Sequence, residues 1–370
     1  MRYIVFIIAI IWSAFTQAQD PSILYENGVK KLEREDYAGA NTDLTKSIHL
    51  DSKQKDAFMK RGEARTNLGD FYGAIGDFNF ALEMDSSMAT AYNMRGLAKY
   101  NLGDDLGAIE DYDKAIEKDS AMADAFTNRG FALYNVEDLQ GAYFDFTRAI
   151  DLDPKDSDKY FNRGVIKAEL GEYISAIDDY NKSIELDKDD PEAFNFRGVA
   201  KYSSGDLEGA LADYDKSIEM DTEDPVKYEN RALAKTDLGD FDGAIEDYSK
   251  SIELFPDDPD IYNLRAVIKY NKADYDAAIE DYNKAIELDD YNPIYYENRA
   301  LAKSELEDYE GAVEDYNISI ELFPTDPDTY HQRGLAKILM GNKYDGCLDL
   351  NTAQELGSSE VNTDIKKNCK

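Results

Sequence analysis

Two histidines, two cysteines and a large excess of carboxylates are the reactive side chains this 370-residue sequence offers. His49 and His331 lie far apart, and neither has a second histidine at a helical ligand spacing such as HxxxH, so no imidazole metal centre can be assembled from them. The string DLDPKDSD at 151–158 spaces its acids as a calcium loop does, but it lacks the central glycine and the distal glutamate. Paired acids such as Asp178-Asp179 offer the side chains that general acid–base catalysis uses. They occur along the whole chain, so they single out no catalytic position. A glycine-rich phosphate loop, a nucleophile elbow and a Cys–His pair are all missing from the sequence. The chain therefore reads as non-catalytic, with no metal and no cofactor. Asn181-Lys-Ser183 and Asn317-Ile-Ser319 match glycosylation acceptors, but both fall inside predicted helices.

The charge balance excludes further classes. Acidic residues number 77 against 41 basic ones, a formal charge of −36. Nucleic-acid binding rests on lysine and arginine neutralising phosphates, and anionic membranes attract the same residues, so neither partner fits. Acidic helix faces keep a long, surface-rich chain in solution, and they also suit a cationic partner. The chain opens MRYIVFIIAIIWSAFTQAQD. One basic residue, an apolar run and small residues at Thr16 and Ala18 predict a signal peptide over 1–18, cleaved after Ala18. The apolar run is shorter than the roughly 20 residues that span a bilayer. The expectation is an exported protein, periplasmic or secreted, with no membrane span after cleavage.

The elements that position these residues repeat every 34 residues. An arginine followed by a small residue recurs at Arg61-Gly62, Arg197-Gly198, Arg231-Ala232 and Arg333-Gly334, among others. An aromatic precedes each arginine by three, as Phe58, Phe194 and Tyr330 do. A small residue follows each mid-repeat turn (Ala40, Ala74, through Ala312 to Gly346), and four residues later comes Leu44, Phe78, Tyr112 or an equivalent. Spacings of three and four predict two amphipathic helices per repeat, with turns such as NLGD at 101–104 between them. All nine prolines fall between repeats. Pro21, Pro191, Pro225, Pro259, Pro293 and Pro327 each follow Asp or Asn in the order of an N-cap and a first helical residue.

These columns resemble the tetratricopeptide repeat (TPR), which shares this period and helix–turn–helix plan. The resemblance covers about residues 21–357, and it implies an all-α solenoid, a right-handed superhelix whose first helices line a concave groove. The predicted organisation is a solenoid over 19–357, with about ten repeats starting near 21, 55, 89, 123, 157, 191, 225, 259, 293 and 327. A capping helix over 358–370 follows. By resemblance, the small residue at Gly198 marks a close helix approach. The cytosolic chaperone clamp known in some members is not reproduced, because pairs such as Met59/Glu63 and Glu192/Phe196 lack its basic groups.

Every second helix carries an aspartate, and every first helix but the first carries the arginine, with Asn27 in its place. That offset predicts an ion-pair ladder between repeats, Asp179 with Arg197. Cys347 stands ten residues before the turn at Gly357 and Cys369 twelve after it. These lengths are about 15 and 18 Å of helix, so an antiparallel hairpin brings the two opposite each other and predicts a disulfide. Within the groove, the resemblance places Asn93, Asn195 and Asn263, with Tyr100, Tyr134, Tyr202 and Tyr270 further along. Asn101, Asn135 and Asn271 follow three of these tyrosines. Such residues either bind an extended peptide or pack against neighbouring repeats. The convex side reads as acidic, with Glu246, Glu280 and Glu314. The expected function is a scaffold for a protein or peptide; the alternative is an extracellular glycan or cell-wall binding module using the tyrosine row.

Overall fold

Helix starts are written into the sequence as aspartate–proline. Asp190 ahead of Pro191 accepts the backbone N–H of Glu192 at 2.9 Å, and Asp224 ahead of Pro225 accepts that of Val226 at 3.0 Å. Proline loses nothing at the first helical position, where its missing N–H would be unsatisfied anyway. Second helices start differently. Asp70, Asp104 and Asp206 each accept an N–H from a glycine three residues on.

The computed structural model describes residues 20–369. The predicted signal peptide, 1–18, lies outside the described residues. Those residues form helices joined by short turns, with no strand among them. The chain divides into two units, one ending at Lys188 and the other beginning at Asp189. The first holds α1 (Pro21–Leu32), α2 (Tyr37–Leu50), α3 (Lys55–Asn67), α4 (Phe71–Met84), α5 (Ala89–Tyr100), α6 (Asp105–Lys118), α7 (Ala123–Asn135), α8 (Leu139–Leu152), α9 (Ser157–Glu169) and α10 (Tyr173–Leu186). The second holds α11 (Pro191–Ser203), α12 (Leu207–Met220), α13 (Pro225–Asp237), α14 (Phe241–Leu254), α15 (Pro259–Asn271), α16 (Tyr275–Leu288), α17 (Pro293–Glu305), α18 (Tyr309–Leu322), α19 (Pro327–Leu339), α20 (Lys343–Glu355) and α21 (Val361–Asn368).

Odd-numbered helices are the first helices of repeats and even-numbered ones the second. Within each unit a first helix packs on its own second helix, and that second helix packs on the next first helix. First helices also touch along their own layer, α5 on α7 and α15 on α17 among them. The core lies between the layers and is built mainly of alanines and large rings, with leucines and isoleucines among them. A Cβ placed on Gly198 would stand 2.6 Å from the ring of Tyr214, so glycine's cost in helix propensity is offset by ring packing. The turn within each repeat needs one residue of positive φ. Gly205 (φ 90°) supplies it in one repeat, while Ala273 (φ 60°) and Glu307 (φ 62°) adopt it at the strain of a non-glycine residue.

The ion-pair ladder runs within repeats, which corrects the Asp179–Arg197 expectation. Arg163 grips Asp179 with Nε at 2.8 Å and Nη2 at 2.6 Å, and Arg197 grips Asp213 at 2.8 and 2.5 Å. The physical reason for the missing first arginine is substitution. A lysine or arginine one turn after the ladder arginine also reaches the aspartate, as Lys201 does Asp213 at 2.8 Å. In the first repeat Lys31, in this same column, takes the arginine's place on Asp43 at 2.7 Å, with Lys46 at 4.0 Å.

The cap closes the second unit. Val361 is fully buried against Leu350 and Ala353, with Ile365 and Cys369 beside them. Cys347 and Cys369 are joined as a disulfide with their Cα atoms 5.7 Å apart. His331 is partly buried and shares a 2.9 Å hydrogen bond with Asp364 of the cap.

Candidate binding face

The acid clusters with metal-like spacing are filled by lysine. Glu192, Asp221 and Asp224 converge, and the fully buried Lys227 ammonium sits among them at 2.9, 2.6 and 3.7 Å. Burial works to lower its pKa, but the hydrogen bonds to Asp221 and Glu192 hold it above the usual lysine value. The calcium-like string at 151–158 is answered the same way, with buried Lys159 on Asp153 and Asp156.

The asparagines placed in the groove join neighbouring first helices. Asn128 donates to the Oδ1 of Asn93 at 3.1 Å, Asn230 to Asn195 at 3.2 Å, and Asn298 to Asn263 at 2.9 Å. Asn93 and Asn195 are buried. Their oxygens are therefore committed to packing, as the second of the two sequence readings had it. Asn101 donates to its own helix at the Leu97 carbonyl, 2.7 Å, and Asn135 to Asp105 at 3.0 Å. Asn271 stays exposed at the end of α15.

The tyrosines divide. Tyr100 is half-buried against Tyr112, whereas Tyr134 is exposed. Tyr202 donates to Asp237 at 2.5 Å and Tyr270 to Glu305 at 3.4 Å, each pair bridging consecutive first helices. Burial, and then the hydrogen bond to Asp237, push the Tyr202 phenol up to about 12. The hydroxyls of these two tyrosines are thus committed.

Three groups on the first-helix face of the second unit escaped the sequence reading. Val199 and Leu233 are exposed at 37% and 41%, so an apolar row borders the tyrosine–carboxylate pairs. Glu229 takes a hydroxyl hydrogen bond from Ser251 at 2.7 Å, and burial raises its pKa. Glu297 accepts from Ser319 at 2.6 Å and Thr329 at 2.7 Å. Glu297 also lines a recess of about 270 Å³ with Leu301, Asp328, His331 and Glu360. A signal for these groups exists at twice the repeat length. YENRALAK occurs at 228–235 and again at 296–303, so Glu229 matches Glu297 at a separation of 68 residues.

The opposite face is mixed, and in the second unit Ile318, Tyr344 and Leu348 of α18 and α20 are exposed. In α12, α14 and α16 no large apolar side chain is exposed, and Glu246 and Glu280 stand in solvent. The acidic expectation fails in the first unit, where Tyr72, Leu106, Phe144 and Ile174 are all more than 60% exposed.

Helix hairpins stacked in register, each after the first tied by an arginine fork on a buried aspartate, define a helical-repeat protein. Family models agree: one described as TPR repeat matches residues 232–272, and others described as tetratricopeptide repeat match 59–125, 160–190 and 259–292. The chain belongs to the tetratricopeptide repeat family. A TPR protein from Parabacteroides merdae is similar in fold, with a TM-score of 0.51 and 18% identity over 67% of this chain and 98% of its own. Yeast Tom70 matches at 0.42 and 15%, over 92% of this chain and 93% of its own. YrrB, described as a TPR protein with an unusual peptide-binding site, matches at 0.45 and 24%, over 50% and 95%. No curated protein matches the sequence. The glycan alternative gains no support from these neighbours.

Proposed function

We propose that this chain is an exported, non-catalytic scaffold that binds a protein or peptide on the first-helix face of its repeats. Family membership supports an interaction module, and the opening apolar run followed by small residues supports export. The observation that carries the choice of face is the exposed apolar row at Val199 and Leu233, flanked by the Tyr202–Asp237 pair, where the neighbouring second helices α12, α14 and α16 expose glutamates and no large apolar side chain. Apolar contact area rimmed by polar groups is what binding surfaces require. Both carboxylate clusters with metal-ligand spacing are occupied by lysine, which agrees with a scaffold role. Affinity capture from the envelope and secreted fractions, with mass spectrometry, tests the reading. Wild-type protein should retain a defined protein partner that Val199→Ser/Leu233→Ser loses while keeping its helical circular dichroism. Retention unchanged by that double substitution would overturn the choice of face.

A further inference from the structure

Buried carboxylates in the second unit follow one rule, with two exceptions. Asp213, Asp247, Asp281, Asp315 and Asp349 each lie under an arginine and a lysine. Glu229 and Glu297 are partly buried on the first-helix face, yet their partners are hydroxyls, and no cation among the described residues pairs with either. A carboxylate drawn partly out of water without a countercharge is a costly group to keep.

These two glutamates are not isolated. Each sits between an apolar residue one turn back, Val226 or Ile294, and another one turn on, Leu233 or Leu301. Val226 is 49% exposed and Ile294 53%. Each is also followed by the acceptor of a tyrosine from the preceding repeat, Asp237 for Tyr202 and Glu305 for Tyr270. Every member of one set has its counterpart 68 residues away in the other. The first unit breaks this pattern, with Met59, Asn93, Thr127 and Phe161 in the glutamate column.

We infer that the second unit carries two equivalent subsites, centred on Glu229 and Glu297, that together take one extended peptide bearing two basic side chains. This rests on the proposed use of the first-helix face and names the chemistry of its partner. Two steps between neighbouring helices, at about 10 Å each, separate the subsites by roughly 20 Å. An extended chain covers that in about six residues at 3.3–3.6 Å per residue. An even spacing also keeps both side chains on the same side of the strand. The partner is therefore a segment with Lys or Arg at i and about i+6, apolar residues between them, and few acids.

The test uses the full mature chain and fluorescein-labelled 11-residue peptides of Val, Thr, Ser and Gly. One carries Lys at positions 3 and 9, one Gln there, one Glu, and one Lys at positions 3 and 6. Anisotropy titrations should show the 3/9 dilysine peptide binding at least about 10-fold more tightly than the Gln, Glu and 3/6 peptides. Glu229→Gln and Glu297→Gln, which keep an acceptor for the serine hydroxyls, should each weaken it by about 3–10-fold, and together by more. Equal binding of the Gln peptide, indifference to both substitutions, or no binding of the dilysine peptide overturns the inference. A neutral peptide that binds and is lost in Val199→Ser/Leu233→Ser would refute this inference while leaving the binding face intact. Dilysine binding that ignores all four substitutions would refute both.

Discussion

Arg129→Ala should cost more than Arg197→Ala, although the two arginines occupy the same column. Each fork holds a buried aspartate, Asp145 in one repeat and Asp213 in the other, both about 4% exposed. Asp213 also has Lys201 at 2.8 Å, whereas the residue in that column of the other repeat is Leu133. Arg129 is thus the one cation paired to Asp145 among the described residues. Removing it strands a buried charge, a change worth about 3–5 kcal/mol. Removing Arg197 leaves Asp213 with its lysine and costs about 1–3 kcal/mol, the range for one lost charged hydrogen-bond partner. The charge environments already differ in the intact protein: burial holds Asp145 above the usual carboxylate range, while Asp111, with Arg95 and Lys99, is held below it against its burial. A raised folded-state pKa stabilises below the unfolded value and loses that contribution as pH rises, so the Arg129→Ala penalty should shrink on acidification as Asp145 protonates. Because solenoid repeats open locally, hydrogen exchange followed by mass spectrometry is the assay, read in α7–α8 for one variant and α11–α12 for the other. Leu133→Lys in the Arg129→Ala background should recover part of the loss. Equal penalties, or a larger one for Arg197→Ala, would refute the reasoning.

Other outcomes follow from single features. Ala273→Gly should stabilise by about 0.5–1 kcal/mol, since Ala273 holds φ 60° where other repeats use glycine; a lower urea midpoint would contradict this. Burial raises the phenols of the core tyrosine column, Tyr214, Tyr248 and Tyr282, with Tyr248 at about 12, so neutral tyrosine stabilises the fold up to its unfolded value near 10 and that stability drains as pH rises further. Absorbance at 295 nm should therefore show a late ionisation phase coincident with loss of helical circular dichroism, and a complete early phase with helices intact would count against it. Intact mass of unreduced protein should be two hydrogens below that of reduced protein through Cys347–Cys369, and two alkylatable thiols would rule the bond out.

The 34-residue period made the architecture legible because every core contact recurs in it: the small residue, the ring four residues past the turn, and the proline after its cap. The ladder partner was not legible. Asp179 is 16 residues from Arg163 and 18 from Arg197, so spacing alone leaves both within reach, and only the packed helices select Arg163. The missing first arginine pointed to the wrong partner because Lys31 does its work from one turn further along. The binding face was half legible. Asparagine looks available in sequence, but Asn93 and Asn195 meet an asparagine from the next repeat 35 residues on, one position out of the repeat register. Glu229 and Glu297 are hidden in the sequence because their period is two repeats, and a column read at one repeat shows only alternation.

Partner contact should fall on the first-helix face of the second unit. A photoreactive benzoylphenylalanine placed at Leu233, in the exposed row, and separately at Glu246, on the opposite face, tests it in the producing cells. Ultraviolet irradiation should yield a discrete protein adduct from the Leu233 position and none from Glu246. An adduct formed from Glu246 alone would place the working surface on the second helices and contradict the account.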